Sequence, residues 1–448
     1  MFRLSAGMPA GFSDSVRRPA VCGSDSVPPV SSALGVLRLP AVRRYLASTA
    51  TAAIGINLLI TVLFKQVYDI TGDPFDIGIL GLAQFVPGLV LALPSGYAAD
   101  RYDRRRVAGG FLAARLSCAV LLFVYSLGDA TGKGWLILAA IGIGTADAMI
   151  SPSRRSILPL IVSASDMPRV VALWTATFTG SAILGPALGG LLYSIGDEVA
   201  YAVAAVLTAA SIPLILSVNY RPGVPQTAGG PSEAGERPSL RLALEGLKFI
   251  RRTPVVLAAI SLDLFAVLFG GAVALIPVVA SDRLGVGDVA YGWLRAAPGV
   301  GAAAMAIVLA VRPVRRRVGP TLLGTVALFG LGTIAFGLTQ NYVVAFVALV
   351  VLSAADMVSM FIRGALVPLV TPPEQLGRVS AVEGVFIGAS NELGAFESGV
   401  AARWLGVPWA IAGGGFATVA IAGLFAVTFP TLRRIDTFDE LEAGSVSR

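Results

Sequence analysis

The chain has 448 residues, 55% of them hydrophobic and only 14% charged, with a mean hydropathy of +0.78. Soluble domains carry about 25% charged residues, so one compact core cannot hide this much apolar surface and a bilayer is the expected solvent. A net charge of +7 would suit a nucleic-acid partner, but the placement of the basic residues argues against one; the absence of His removes His-based zinc sites and proton shuttles, and Cys22 and Cys118 do not form a disulfide framework.

Residues 1–38 are rich in Ser, Pro and Arg and lack an apolar h-region, which predicts a disordered cytoplasmic tail rather than a cleavable signal peptide. Apolar runs follow, each long enough to cross a bilayer as a helix that satisfies its own backbone amides. The predicted spans are 46–68, 76–98, 106–128, 134–153, 170–194, 199–217, 254–280, 290–311, 319–338, 342–364, 378–402 and 407–429. They define an all-α integral membrane protein with an N-terminal six-helix bundle over 39–217 and a C-terminal one over 253–430. Between them, 218–252 reads as a cytoplasmic linker marked by Pro222, Pro225, Pro231 and Pro238, with a surface helix predicted from Arg241 to Arg252. A tail over 431–448 closes the chain.

Basic residues set the orientation. Twenty-eight of the 34 Lys and Arg residues fall in the tails, the even-numbered loops and the span ends that border them. Lys65, Lys133, Arg283 and Arg403 lie at the opposite face, while Arg115 and Arg295 sit within spans. Both termini are therefore expected in the cytoplasm, in a multi-pass protein of the inner (plasma) membrane. The same bias accounts for the high pI.

The halves resemble each other. A shift of 209 residues aligns 146–190 with 355–399 without a gap, at twelve identities in 45 positions. Asp147 matches Asp356, Arg154 matches Arg363, Gly185 matches Gly394 and Gly190 matches Gly399. Parallel six-helix repeats of this kind are the plan of rocker-type transporters.

Two segments carry recognisable patterns. Gly96 to Arg106, with Gly96, Asp100, Arg101, Arg104 and Arg105, lies between the second and third spans. It resembles motif A of the major facilitator superfamily, a latch in which the glycine permits close helix approach, the acid meets a helix N-terminus and the arginines bind carboxylates or lipid phosphates. In the fifth span, Gly180, Gly185, Pro186, Gly189 and Gly190 resemble motif C of that superfamily, which implies export. Small residues there allow tight packing, and the proline frees a carbonyl.

Charges in hydrocarbon are costly and mark functional paths or buried pairs. Asp147 and Asp356 each precede an arginine by seven residues (Arg154 and Arg363) on one helix face, which predicts structural ion pairs, with the motif A arginines as alternative partners for Asp147. Asp263, Glu383, Glu392 and Glu397, with Asn391, are the proton or substrate candidates. Burial favours the neutral form of a carboxylate, the property a proton-coupled carrier needs.

The stretches 67–72, 262–271, 294–298 and 386–394 resemble the enterobactin exporter family, over about residues 38 to 435. That resemblance implies a twelve-helix major facilitator fold and an exporter of siderophores or drug-like molecules driven by the proton motive force, without a cofactor or bound metal. Its expected partners are a small-molecule substrate, protons and membrane lipids, and a monomer is expected. Uptake is the alternative within the class. A non-transporting receptor would call for long soluble domains, and an ATP-driven pump for a P-loop; neither pattern occurs in the sequence.

Overall fold

The computed structural model describes residues 35–128, 132–220 and 240–441. Most of the tail read at 1–38, the linker over 221–239 and the final 442–448 lie outside the described residues. Twelve long helices dominate the described residues, with a 13-residue helix at Leu240–Arg252 between the halves. In the N-terminal half these are α1 (Pro40–Thr71), α2 (Pro74–Arg101), α3 (Arg104–Ser126), α4 (Lys133–Arg155), α5 (Met167–Tyr193) and α6 (Asp197–Leu216). The C-terminal half holds α7 (Pro254–Arg283), α8 (Asp288–Val311), α9 (Val318–Leu338), α10 (Tyr342–Val370), α11 (Pro373–Leu405) and α12 (Val407–Thr428).

Local chemistry sets the boundaries. The α1–α2 corner is sharp because Gly72 takes a left-handed φ of 63° and caps α1 through its amide to the Tyr68 carbonyl. Asp73 then accepts from the Phe75 amide as N-cap, with Pro74 at the first helical position. Asn341 caps α10 in the same way, accepting from the amides of Val343 and Val344.

Eleven of these helices are long and apolar enough to cross a membrane. The twelfth, α11, falls short because it carries Glu374, Arg378, Glu383, Glu392, Glu397 and Arg403 along its length. The predicted span 254–280 is also not one regular helix. It runs as α-helix to Phe269, changes to a 3₁₀ turn over Gly271–Leu275 and ends in a π turn over Val279–Arg283. Close packing explains the break: a Cβ on Gly270 would stand 2.3 Å from the Phe329 ring, and one on Gly271 2.5 Å from the Gly394 carbonyl.

Packing repeats between the halves. In the first, α1 packs on α5 and α6, α2 on α4, and α3 on α4 and α6. In the second, α7 packs on α11 and α12, α8 on α10, and α9 on α10 and α12, the same scheme six helices later. The matched glycines take part in it. Gly185 lies against the backbone of α1 at Ile54 and Leu58, and Gly394 against that of α7 at Val267 and Leu268. Gly190 and Gly399 instead reach across the halves, Gly190 to Asp288 and Gly292 on α8, and Gly399 to Pro74 and Gly78 on α2.

These α2–α11 and α5–α8 seams close the end opposite the chain termini. Polar contacts seal it further. Lys65 bonds Asp69 at 2.5 Å and reaches Asp288 at 3.5 Å across the halves. Tyr68 donates to Asp282, and Tyr291 donates to the Thr61 carbonyl at 2.8 Å. At the other end the seams part. A Cβ on Gly88 or Gly96 of α2, Gly180 of α5, or Gly377 or Gly384 of α11 would meet nothing within 4 Å. The molecule is thus open toward the end that carries its termini. Trp135, Trp293, Trp404 and Trp409 are all exposed at the closed end, the position of an interfacial aromatic belt.

Candidate functional site

A cavity of about 370 Å³ lies between the halves at mid-depth. The N-terminal half contributes Ile60, Phe64 and Gln84; the rest of its wall comes from α7 to α11, including Arg295, Pro298, Phe329, Ser353, Asp356, Asn391 and Glu392. Arg295 on α8 is fixed by donation from Nη1 to the Val273 carbonyl at 2.8 Å, made available by the break in α7. Its guanidinium stands 5.6 Å from the centre of the Phe64 ring, a cation–π contact across the halves. Glu392 reaches toward α2, its Oε2 lying 3.3 Å from where a Gly81 Cβ would be. Asn391 borders the same space while its amide donates to the Ile387 carbonyl at 2.8 Å. Apolar walls with a few convergent polar groups are the usual form of a small-molecule site.

The remaining candidate acids divide differently from the sequence reading. Arg363 does not pair with Asp356 on its own helix. It binds Asp263 of α7 at 2.7 Å, both side chains being almost fully buried, and stands 3.9 Å from Glu383 of α11. Asp356 instead faces the cavity. In the first half Asp147 pairs with Arg115 of α3, while Arg154 donates to Thr49 at 2.9 Å and Ser48 at 3.4 Å. Seven helical residues rise about 10 Å, too far for the intrahelical pairs, so partners come from neighbouring helices. Glu397 does not line the cavity.

Arg295 and Arg115 were visible as arginines inside spans but carried no assigned role. Their signal was the cost of an intramembrane charge itself.

At the open end, Asp103 caps α3 by accepting from the Arg105 amide at 3.0 Å and from its guanidinium at 2.9 Å, and takes a further bond from the Tyr220 hydroxyl at 2.9 Å. Arg105 bonds the Val218 carbonyl beyond α6 at 2.8 Å, and Arg104 bonds the Ser156 carbonyl beyond α4 at 3.0 Å. These arginines therefore clasp helix C-termini, where the macrodipole favours a cation. The Arg105 side chain holds the Asp103 carboxyl well below the usual carboxylate range. Burial, with the bond to Asp103, pushes the Tyr220 hydroxyl up. Gly96, expected at a close helix approach, faces open space because the halves diverge there, and Arg101 is exposed; the side chain of Asp100 lies outside the described residues. Of the five fifth-span positions, Gly185 and Pro186 pack toward α1 and α8, Gly189 meets Thr61, Gly190 sits in the α5–α8 seam and Gly180 is free of contact.

Two pseudo-symmetric six-helix bundles around a central cavity, touching at one end only, define a rocking membrane transporter. The chain belongs to the major facilitator superfamily, whose profile matches residues 45–395. It is a multi-pass membrane transporter of that superfamily and not an enzyme. It is 26% identical over 383 residues to the uncharacterized MFS-type transporter YfiS of Bacillus subtilis (strain 168), covering 81% of this chain and 87% of that one. It is 27% identical over 239 residues to the uncharacterized MFS-type transporter y4rN of Sinorhizobium fredii (strain NBRC 101917 / NGR234), covering 51% and 55%. Among solved structures, a mutant form of the nucleoside transporter NupG aligns at 12% identity with a TM-score of 0.66, over 87% of this chain and all of that one. The human organic anion transporter MFSD10 aligns at 16% identity with a TM-score of 0.61, over 88% and 99%. At these identities the likeness is one of fold.

Proposed function

We propose that the chain is a proton-coupled exporter of a small, partly apolar molecule of the siderophore or drug-like class, held in the plasma membrane with both termini in the cytoplasm. The observation that carries this reading is the central cavity, open to the terminal end, which Arg295 and Glu392 border among aromatic and aliphatic walls. A substrate enters from the cytoplasm, lies against Phe64 and Phe329, and meets the guanidinium and the carboxylate with its polar groups. Binding of a proton to an acid in the C-terminal half changes the relative stability of the inward- and outward-open states, and the downhill proton drives the cycle. One charge moving through 100 mV carries about 2.3 kcal/mol. The basic residues at the open end and the fifth-span glycines support the orientation and the outward direction.

The test is transport in vesicles reconstituted with the purified protein and screened with iron-free catecholates and fluorescent cationic dyes. Accumulation that requires an imposed pH gradient, collapses with a protonophore and fails in Glu392→Gln supports the reading. Accumulation that survives collapse of the gradient rejects proton coupling, and movement only in the opposite sense rejects export.

A further inference from the structure

We propose that Asp356, the buried hydroxyl of Ser359 and the Asp263–Arg363 pair form a proton-binding site around one seated water, adjoining the Arg295–Glu392 substrate cavity through Asp356. This rests on the proton-coupled reading above and divides its labour between two places.

A chamber of about 10 Å³ lies between α7, α9 and α10, walled by Asp263, Thr325, Phe329, Asp356 and Ser359. That volume holds one water, which needs two to four polar partners. Ser359 supplies an unusual one: its hydroxyl is buried and has no hydrogen-bond partner in the protein. The two carboxylates supply the others. The chamber shares Val267, Phe329 and Asp356 with the main cavity, so Asp356 stands in the wall between them. Solvent in the open cavity thus reaches Asp356, and the water connects Asp356 to the more deeply placed Asp263.

The charges around this point do not balance. Asp263 faces it from α7, Asp356 and Arg363 from α10, and Glu383 from α11, while Arg295 of α8 and Glu392 of α11, one charge of each sign, share only the main cavity with Asp356. The α9 and α12 helices carry no ionisable residue, and to the chamber they add only the hydroxyl of Thr325. One guanidinium thus serves three carboxylates in a setting where an uncompensated charge is expensive, and protons make up the difference. The fold itself does not require the glutamates of α11, although the first half keeps Asp147 where the second has Asp356. At the aligned positions of the first half, Trp174, Ile183 and Leu188 stand where α11 has Glu383, Glu392 and Glu397. There Arg154, the counterpart of Arg363, is satisfied by two hydroxyls.

Transfer is a simple relay. The Asp356 carboxyl gives its proton to the water as the water gives one of its own to Asp263, so one O–H bond breaks and one forms at each step. With Asp263 neutral, its hold on Arg363 weakens and the guanidinium, already 3.9 Å from Glu383, turns to α11. That helix also carries Glu392 into the substrate cavity and packs on α2 of the other half through Gly399. Proton and substrate therefore act on the same rod.

The experiment uses full-length protein in lipid nanodiscs, with Cys22 and Cys118 replaced by Ser and spin labels at positions 171 and 308, both exposed near the open end. Interhelical distances are measured over roughly pH 5 to 9. Wild type and the control Glu397→Gln should change distance populations with pH. Asp356→Asn and Asp263→Asn should abolish that change, Asp356→Glu should restore it, and Ser359→Val should reach the same end states about tenfold more slowly after a pH jump. A pH response in both Asn variants equal to wild type would overturn the site while leaving proton coupling intact. A wild type with no pH response would overturn both.

Discussion

Two glycines of the fifth helix make opposite predictions. A methyl group at Gly190 would sit 2.3 Å from the Asp288 carbonyl and 2.6 Å from the Gly292 Cα, both backbone atoms of α8 in the other half. Ordinary contact begins near 3.4 Å, so α5 and α8 must separate by about 1 Å at the closed end. Forcing an extra carbon into a well-packed contact costs about 1–3 kcal/mol. The contact exists only while the halves touch here, so Gly190→Ala is expected to favour the state open at this end by roughly 5- to 150-fold. Gly180→Ala, on the same helix but adding a Cβ that meets nothing within 4 Å, leaves the present state at its original energy. Any change it makes runs the other way. The assay is a distance measurement between spin labels at positions 195 and 405, exposed at the closed end of α5 and α11. A longer distance in Gly190→Ala and none in Gly180→Ala is expected. Equal effects from the two substitutions, or an unfolded Gly190→Ala, would refute the assignment of this seam as a contact that opens.

Other perturbations follow from the same geometry. Arg363→Ala strands Asp263 and should lower stability by about 3–5 kcal/mol in thermal unfolding, with partial recovery when Asp263→Ala is added. Lys65→Met removes one exchangeable tie between the halves and should shift the same distance measurement in the direction of Gly190→Ala, by about 1 kcal/mol or less. Asp103 is held below the ordinary carboxylate range in the folded protein, so its contribution is present above that range and is lost as pH falls through the folded value. The stability gap between wild type and Asp103→Asn should therefore be constant above roughly pH 5 and narrow in acid.

The helices were legible because lipid leaves the chain few alternatives: a long apolar run must satisfy its own amides. The repeat was legible for a related reason. Gly185 and Gly394, or Gly190 and Gly399, sit where two backbones nearly touch; a Cβ would overlap its neighbours at the first three and meet them tightly, at 3.0 Å, at Gly399. Charge pairing was not legible. Asp356 and Arg363 share a helix face, yet Arg363 turns to Asp263, far earlier in the chain, because the pairing depends on how α7 and α10 pack. The same holds for Arg115 with Asp147, and for Arg295 over Phe64, whose partner lies in the other half. Nor did the apolar run over 254–280 announce its break, since Gly270 and Gly271 change the helix only where Phe329 and Gly394 press against them.

The polarity of α11 bears on how the protein is made. A charged side chain at the centre of an inserting segment costs a few kcal/mol, and this segment brings four glutamates and two arginines to the translocon. Emerging alone, it would favour water over lipid. The groups that accommodate it are already synthesised by then: Arg363 for Glu383, the Arg295-lined cavity for Glu392, and Glu245 of the helix at Leu240–Arg252, which holds Arg378 at 2.8 Å. Biogenesis of the second bundle is thus ordered, with the last hairpin entering the bilayer against a surface its predecessors have prepared, and truncations that remove that surface should leave α11 outside the membrane.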